Sequence, residues 1–367
     1  MLSLLAAFAL AQDPGQEYSA KLIELTEPGG APARIQIHVS NERLKTPKVS
    51  PKHQWVFEWA AAGLGRREEQ RAFTPRVRVF SQQRKSQNDP AERVARMTMR
   101  MWDFLVRKLR WEHNPGANMG IVDFYLCFGG KAGGEQLWDY DKDGEREIRV
   151  NTIYIYAVQT FTDPLEMARE VAHEYGHATL PPVGGFKEPE DWANGYLGER
   201  LYLKWLHDDM ASGRLGPEDA MGATASDLEA YLKKNVNPLV DAAALNGPDV
   251  LLLAKPGAKA MAHYLGLVMY AEAILPTSAF ERSLKVMGST AAMDYPKALV
   301  LAAGEPANYL LTVPQRFQNR PIWIPLGKGK LTGQIGIVKR QGDWALVNAG
   351  STAIRIANPP PADPPTQ

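Results

Sequence analysis

The chain has 367 residues, 45% hydrophobic and 23% charged, with a formal net charge of +1 at pH 7. This balance allows a sizeable core in two domains, or in one large domain with appended modules. It excludes a polybasic footprint for nucleic acid or a membrane surface, and the single cysteine, Cys127, excludes an intrachain disulfide framework.

Residues 1–11 form a short apolar run ending in Ala9-Leu10-Ala11, and this pattern predicts a secretory signal cleaved before Gln12. The implied location is secreted or periplasmic. The run is about half of the roughly 20 residues that a spanning helix needs, and no later segment reaches that length, so an integral membrane protein is not expected. Residues 12–72 read as a β-rich segment. Within it, two β-forming runs around the turn Glu27-Pro28-Gly29-Gly30-Ala31 predict a hairpin over Tyr18–Ser40, and Trp55–Trp59 predicts a further strand.

The main domain is expected over 73–310, with a strand at Arg76–Phe80 and a helix from Asp89-Pro90 to about Arg110. Val94, Met97, Met101, Phe104, Leu105 and Leu109 recur along that helix at core spacing. The apolar run Ile121–Phe128 predicts a buried strand carrying Cys127 as a packing residue rather than a nucleophile. Gly129-Gly130-Lys131-Ala132-Gly133-Gly134 reads as loop. Asp139, Asp141 and Asp143 resemble half of a calcium loop and mark a possible structural Ca²⁺ site. However, the twelfth position from Asp139 is Val150, where a bidentate acid is needed, so a hairpin turn on Asp143-Gly144 is the favoured reading.

The strand Arg149–Tyr156 leads into Asp163–Leu180, which contains His173-Glu174-Tyr175-Gly176-His177, an H-E-x-x-H sequence. Asp163 predicts an N-cap, Pro164 suits the first helical position, and the prolines and glycines after Leu180 end the helix. On a helix His173 and His177 project one turn apart from one face and can share one Zn²⁺. Glu174 beside them can serve as general base toward a water activated there.

Strand, helix, strand, loop, strand and motif helix, in this order, resemble a zincin, the zinc peptidase class built on a sheet and an H-E-x-x-H helix. The resemblance implies an α+β fold with a mixed sheet, an active-site helix and a helical lobe. It also implies an edge strand that holds a peptide or protein substrate in extended form, here Thr152–Tyr156 or the preceding glycine-rich segment. The metzincin extension fails, because Leu180 and Val183 stand where Gly and His are required. The gluzincin branch, which takes a glutamate from the next helix, fits better.

Four acids compete for the third ligand position: Glu188, Glu190, Asp191 and Glu199. The first three flank Pro189 at the expected start of a helix over Pro189–Leu206, where the exposed N–H groups account for acids without a metal. Glu199 shares an otherwise largely apolar face with Trp192, Gly195, Tyr196, Leu203 and Leu206, a costly place for an unpaired carboxylate. His173, His177 and Glu199 are therefore the expected metal ligands, with Glu174 catalytic. His263, beside Tyr264 in the later helices, is a candidate oxyanion donor.

Residues 217–310 predict helices broken near Asn237-Pro238, Gly247-Pro248, Pro256-Gly257 and Pro276. Residues 311–357 predict a small β module, which the N-terminal hairpin could complete, and 358–367 a Pro-rich tail. The expected activity is zinc-dependent peptide hydrolysis. The alternatives are a zinc hydrolase of a non-peptide bond and a non-catalytic binding or structural protein on the same scaffold.

Overall fold

The computed structural model describes residues 20–26, 32–40, 54–61, 77–81, 90–111, 122–127, 131–143, 146–304, 308–332, 335–350 and 353–358. The expected leader (1–11) and residues 359–367 of the tail lie outside them. Strands and helices mix in the α+β manner expected from the sequence.

Seven strands form the main sheet: β1 (Ala20–Thr26), β2 (Pro32–Ser40), β3 (Gln54–Ala61), β4 (Val77–Ser81), β5 (Val122–Leu126), β6 (Gly133–Asp143) and β7 (Arg146–Tyr156). Their order is β1-β2-β3-β4-β5-β7-β6. The first four run antiparallel, β4, β5 and β7 are parallel, and β6 returns antiparallel to β7 as the last strand. The predicted hairpin is therefore present, but it does not complete the C-terminal module. β3 pairs with β4 from Trp55↔Ser81 to Trp59↔Val77, which joins residues before and after position 72 in one sheet.

Sequence reading misses β6, because Gly-Gly-Glu-Gln-Leu-Trp-Asp-Tyr-Asp-Lys-Asp lacks the alternation of a half-buried strand. Cross-strand pairing supplies what propensity lacks, as β6 is laddered to β7 from Gly133↔Tyr156 to Asp143↔Arg146. That ladder also replaces the loop backbone that the calcium-like spacing suggests. Asp139, Asp141 and Asp143 lie in extended backbone opposite Val150, Ile148 and Arg146, whereas a calcium loop winds its ligands around the ion. The substrate edge is corrected too. Thr152–Tyr156 lies in β7, between β5 and β6, so its ladder positions are taken, and the glycine-rich start of β6 forms the edge.

The first long helix, α1 (Pro90–Phe104), continues as a π-helical turn over Leu105–Leu109 and stops at Arg110 in a left-handed conformation. Its six predicted core residues are all buried. The motif helix α2 (Pro164–Thr179) starts as expected, with the Asp163 carboxylate accepting the Leu165 N–H at 2.9 Å. Met167, Ala168, Val171, Ala172, Tyr175 and Ala178 form its buried stripe, with Tyr175 stacked on Phe124 of β5. Asn151 of β7 donates to the Ala178 carbonyl at 2.9 Å and fixes the end of α2 on the sheet.

The next helix, α3 (Asn194–Ala211), crosses α2 with almost no side chain between them. A Cβ on Gly198 would lie 2.4 Å from the Gly176 Cα, and one on Gly176 would lie 2.5 Å from the Asn194 carbonyl oxygen. This crossing sets the distance between the two helices that carry the site. Six further helices follow: α4 (Ala225–Asn235), α5 (Asn237–Asn246), α6 (Val250–Leu253), α7 (Ala258–Ile274), α8 (Thr277–Lys285) and α9 (Tyr295–Gly304). The breaks from α4 to α8 fall at the predicted Pro and Gly positions, whereas the break between α8 and α9, over residues 286–294, is not among them. No helix among the described residues is long and apolar enough to cross a membrane.

The C-terminal module contains β8 (Asn308–Thr312), β9 (Arg320–Pro325), β10 (Lys330–Leu331), β11 (Ile337–Gln341), β12 (Trp344–Ala349) and β13 (Ala353–Ala357). They form two three-stranded sheets, β10-β13-β8 and β11-β12-β9. The Tyr270 hydroxyl of α7 donates to the Trp323 carbonyl of β9 at 2.8 Å and ties the module to the helices. Cys127 is buried with Tyr125 and Tyr154, and burial pushes its thiol up to about 11, as expected of a packing cysteine.

Candidate metal centre

One turn separates His173 from His177 on the face of α2 opposite its core stripe. Their Nε2 atoms are 3.2 Å apart. The third atom near them belongs to Glu190: its Oε2 lies 3.4 Å from the His173 Nε2 and 3.5 Å from the His177 Nε2. His173, His177 and Glu190 are the three-residue cluster that could hold a metal among the described residues. For zinc bonded at about 2.0–2.1 Å, tetrahedral geometry puts ligand atoms about 3.3–3.4 Å apart. The observed triangle matches that spacing.

Two further observations test the fit. A Cβ on Gly195 would stand 2.3 Å from the His177 Nε2 and 2.5 Å from the His173 Nε2, so only glycine lets α3 pass this close to both nitrogens without displacing them. In addition, the Glu174 Oε2 and Glu190 Oε1 atoms are buried without a hydrogen-bond partner, an expensive state for carboxylate oxygens with nothing to bind. The donor set, its spacing and the two orphaned oxygens all fit a divalent cation.

Glu199 occupies a different position from the one expected. It is 3% exposed on α3, but its carboxylate faces the other side of the His173 ring, with Oε2 3.7 Å from Nδ1. Its Oε1 accepts from the Arg169 Nε at 2.7 Å and from the Tyr231 hydroxyl of α4 at 2.9 Å. Burial opposes its charge, but His173, Arg169 and Arg200 overcome this and hold its pKa at about 2. The physical reason for the difference lies in where α3 starts. The helix begins at Asn194 rather than Pro189, so Glu190 belongs to the preceding loop, not to a helix N-terminus, and reaches back over the histidines.

The far side of the other imidazole is held by Asn194. Its Nδ2 donates to the carbonyls of His177 at 3.2 Å and Leu180 at 3.5 Å, which turns Oδ1 toward the His177 Nδ1 at 2.9 Å. An amide oxygen only accepts, so the His177 Nδ1 carries the proton and Nε2 is left with a free lone pair. The two rings are thus oriented differently, His177 by an amide and His173 by a carboxylate. Tyr196 closes the site laterally, its ring edge-on to His173 at 4.8 Å between centroids.

Electrostatically the cluster is built to hold positive charge between its ligands. Burial works against charge on His173, but Glu190 and Glu199 lift its pKa to about 10. The same contacts with His173 and His177 bring Glu190 down to about 2 against the effect of burial. Glu174 behaves oppositely. Burial raises its pKa to about 7, as suits a proton acceptor working near neutrality. The start of β6 lies against it, since a Cβ on Gly134 would be 2.5 Å from the Glu174 Cγ.

His263, the expected oxyanion donor, is not part of this cluster. It lies on α7, where its Nε2 accepts the Asp249 backbone N–H at 2.9 Å and helps start α6. Tyr264 is 1% exposed and packs between Phe186 and Tyr295. Sequence reasoning missed Asn194, Tyr231 and Arg169, and weighed Glu190 only to set it aside. A correct helix start would have recovered Glu190 and Asn194. Tyr231 comes from a distant helix and leaves no local signal. No family model matches this chain, and no curated protein matches it in sequence, so its reading rests on the geometry of the site itself.

Proposed function

We propose that the protein is a zinc-dependent metallopeptidase of gluzincin type, exported by the leader read in residues 1–11 to a secreted or periplasmic location. Support comes chiefly from the Nε2–Nε2–Oε2 triangle of His173, His177 and Glu190 with the orphaned Glu174 carboxylate beside it. In this reading His173, His177 and Glu190 are the ligands, and Glu199 orients His173. Supplying the third ligand from a loop ahead of α3 departs from the usual gluzincin pattern.

A zinc ion held there would polarise a carbonyl and acidify a water molecule. Glu174, with its pKa raised to about 7 by burial, takes the proton of the attacking water and delivers it to the departing amine. The edge strand β6 favours a peptide over other acyl substrates. Its outer side has no paired strand among the described residues, and its first residues lie against Glu174, so an extended main chain laid along β6 passes the base. Tyr196 and the loop carrying Glu190 form the opposite wall.

The deciding experiment compares zinc content and peptide hydrolysis in wild type and Glu174→Gln. We expect one equivalent of zinc in both, with hydrolysis lost by at least about 10²-fold in the variant. Full activity in Glu174→Gln would refute the mechanism. Stoichiometric zinc without turnover in wild type would favour a binding protein on the same scaffold.

A further inference from the structure

The functional face of α2 extends one turn beyond the motif. Glu170, His173, Glu174 and His177 follow one another at helical spacing, and Glu170 is the member that neither the metal ligands nor the base account for. Its carboxylate accepts a hydrogen bond from the Gly134 backbone N–H, at the start of edge strand β6. The position a Gly134 Cβ would take is 2.8 Å from the Glu170 Oε1 and 2.8 Å from the Glu174 Cδ, so the two carboxyls flank one point of the strand. Glu199 has Arg169, Glu190 has the histidines, but no lysine or arginine forms an ion pair with Glu170 among the described residues. The neighbouring Glu174 is 5% exposed and keeps an orphaned oxygen.

We infer that Glu170 closes one end of the substrate groove and recognises a cationic group on the residue next to the scissile bond. The inference rests on the metallopeptidase reading and deepens it. A peptide pairing with β6 meets a main-chain N–H at Gly134 that is already occupied, so the extended ladder ends there. At that end stands a half-buried carboxylate that feels His173 and Arg169 but forms no ion pair, one helical turn from the base. An ammonium or guanidinium group satisfies it. The cation is either a free α-amino group or the side chain of lysine or arginine.

The test uses the full-length, zinc-loaded protein and peptides differing only in the residue before the scissile bond: lysine, arginine, norleucine or glutamate, each with a free or acetylated N terminus. Wild type is expected to prefer the cationic member by about tenfold or more in kcat/KM, mainly through KM. Glu170→Gln keeps an acceptor for the Gly134 N–H and removes only the charge. It is expected to lose the preference, read within each protein as the ratio of the cationic peptide to the acetylated norleucine peptide. If acetylation removes the preference, the cation is the α-amine; if norleucine in place of lysine removes it, the cation is the side chain.

Binding of lysine and norleucine hydroxamates, free or acetylated, should show the same ratios without turnover. An unchanged cation-to-neutral ratio in Glu170→Gln, in either measurement, overturns the assignment, as does a wild type that shows no such ratio. Failure of the peptidase reading registers separately, as missing zinc or as no wild-type cleavage of any peptide.

Discussion

Gly195→Ala separates a metal centre from a chance meeting of histidines. The added methyl would lie 2.3 Å and 2.5 Å from the two Nε2 atoms, about 1 Å inside ordinary contact distance, so both nitrogens must move away from their ligand spacing. Without metal the protein tolerates it, because the clashing atoms are the ends of two side chains. Rotating two imidazoles off their preferred angles costs on the order of 1 kcal/mol each, partly offset by about 0.5–1 kcal/mol from replacing glycine in a helix. Metal-free Gly195→Ala should therefore unfold within about 1–2 kcal/mol of wild type in urea. Zinc bonds tolerate only about ±0.2 Å, so affinity should fall at least about 100-fold, or about 2.7 kcal/mol, in a competition titration with a zinc chelator. Wild-type zinc affinity in this variant would refute the placement of the ion between the histidines. Gly198→Ala is the contrasting control. Its methyl meets the Gly176 backbone at 2.4 Å, and it should destabilise the fold whether or not metal is present.

Three further outcomes follow from the same geometry. Glu190→Ala should lose stoichiometric zinc, whereas Glu199→Gln should keep it with affinity weakened about 10- to 100-fold, both measured on dialysed protein; the reverse order would return the third ligand to Glu199. Gly134→Ala should retain zinc yet lose hydrolysis, because its methyl would displace the Glu174 carboxyl; unchanged kcat would show that β6 does not bear on the base. Glu199 has a folded pKa of about 2, below its ordinary 4.5, so its contribution to metal-free stability is present above pH 4.5 and is lost as pH falls toward 2. Denaturation midpoints across that window should fall less steeply in Glu199→Gln than in wild type, and parallel curves would contradict the assigned contacts.

Much of the local structure follows from short-range signals along the chain. A capped run from Asp163, a buried stripe at helical spacing and the proline–glycine stop defined α2, and the same signals located α1 and the breaks from α4 to α8. Each is a short-range effect: a cap, a missing N–H, or a repeat that matches the pitch of a helix. His173, Glu174 and His177 were legible for that reason, since one helix carries all three.

The groups that reach the histidines from elsewhere are set by packing between distant segments. Strand β6 has no strand pattern of its own and exists through its ladder with β7, which also made Asp139, Asp141 and Asp143 extended backbone. α3 begins at Asn194 and crosses α2 closely at Gly176 and Gly198, which leaves Glu190 on the Nε2 side and brings Glu199 to the Nδ1 side. Burial made Glu199 conspicuous in the sequence, because an apolar helix face cannot hold an unpaired carboxylate. Which partner relieves that cost depends on Arg169 and Tyr231 arriving from other helices, a matter of packing across the chain that spacing along it does not encode.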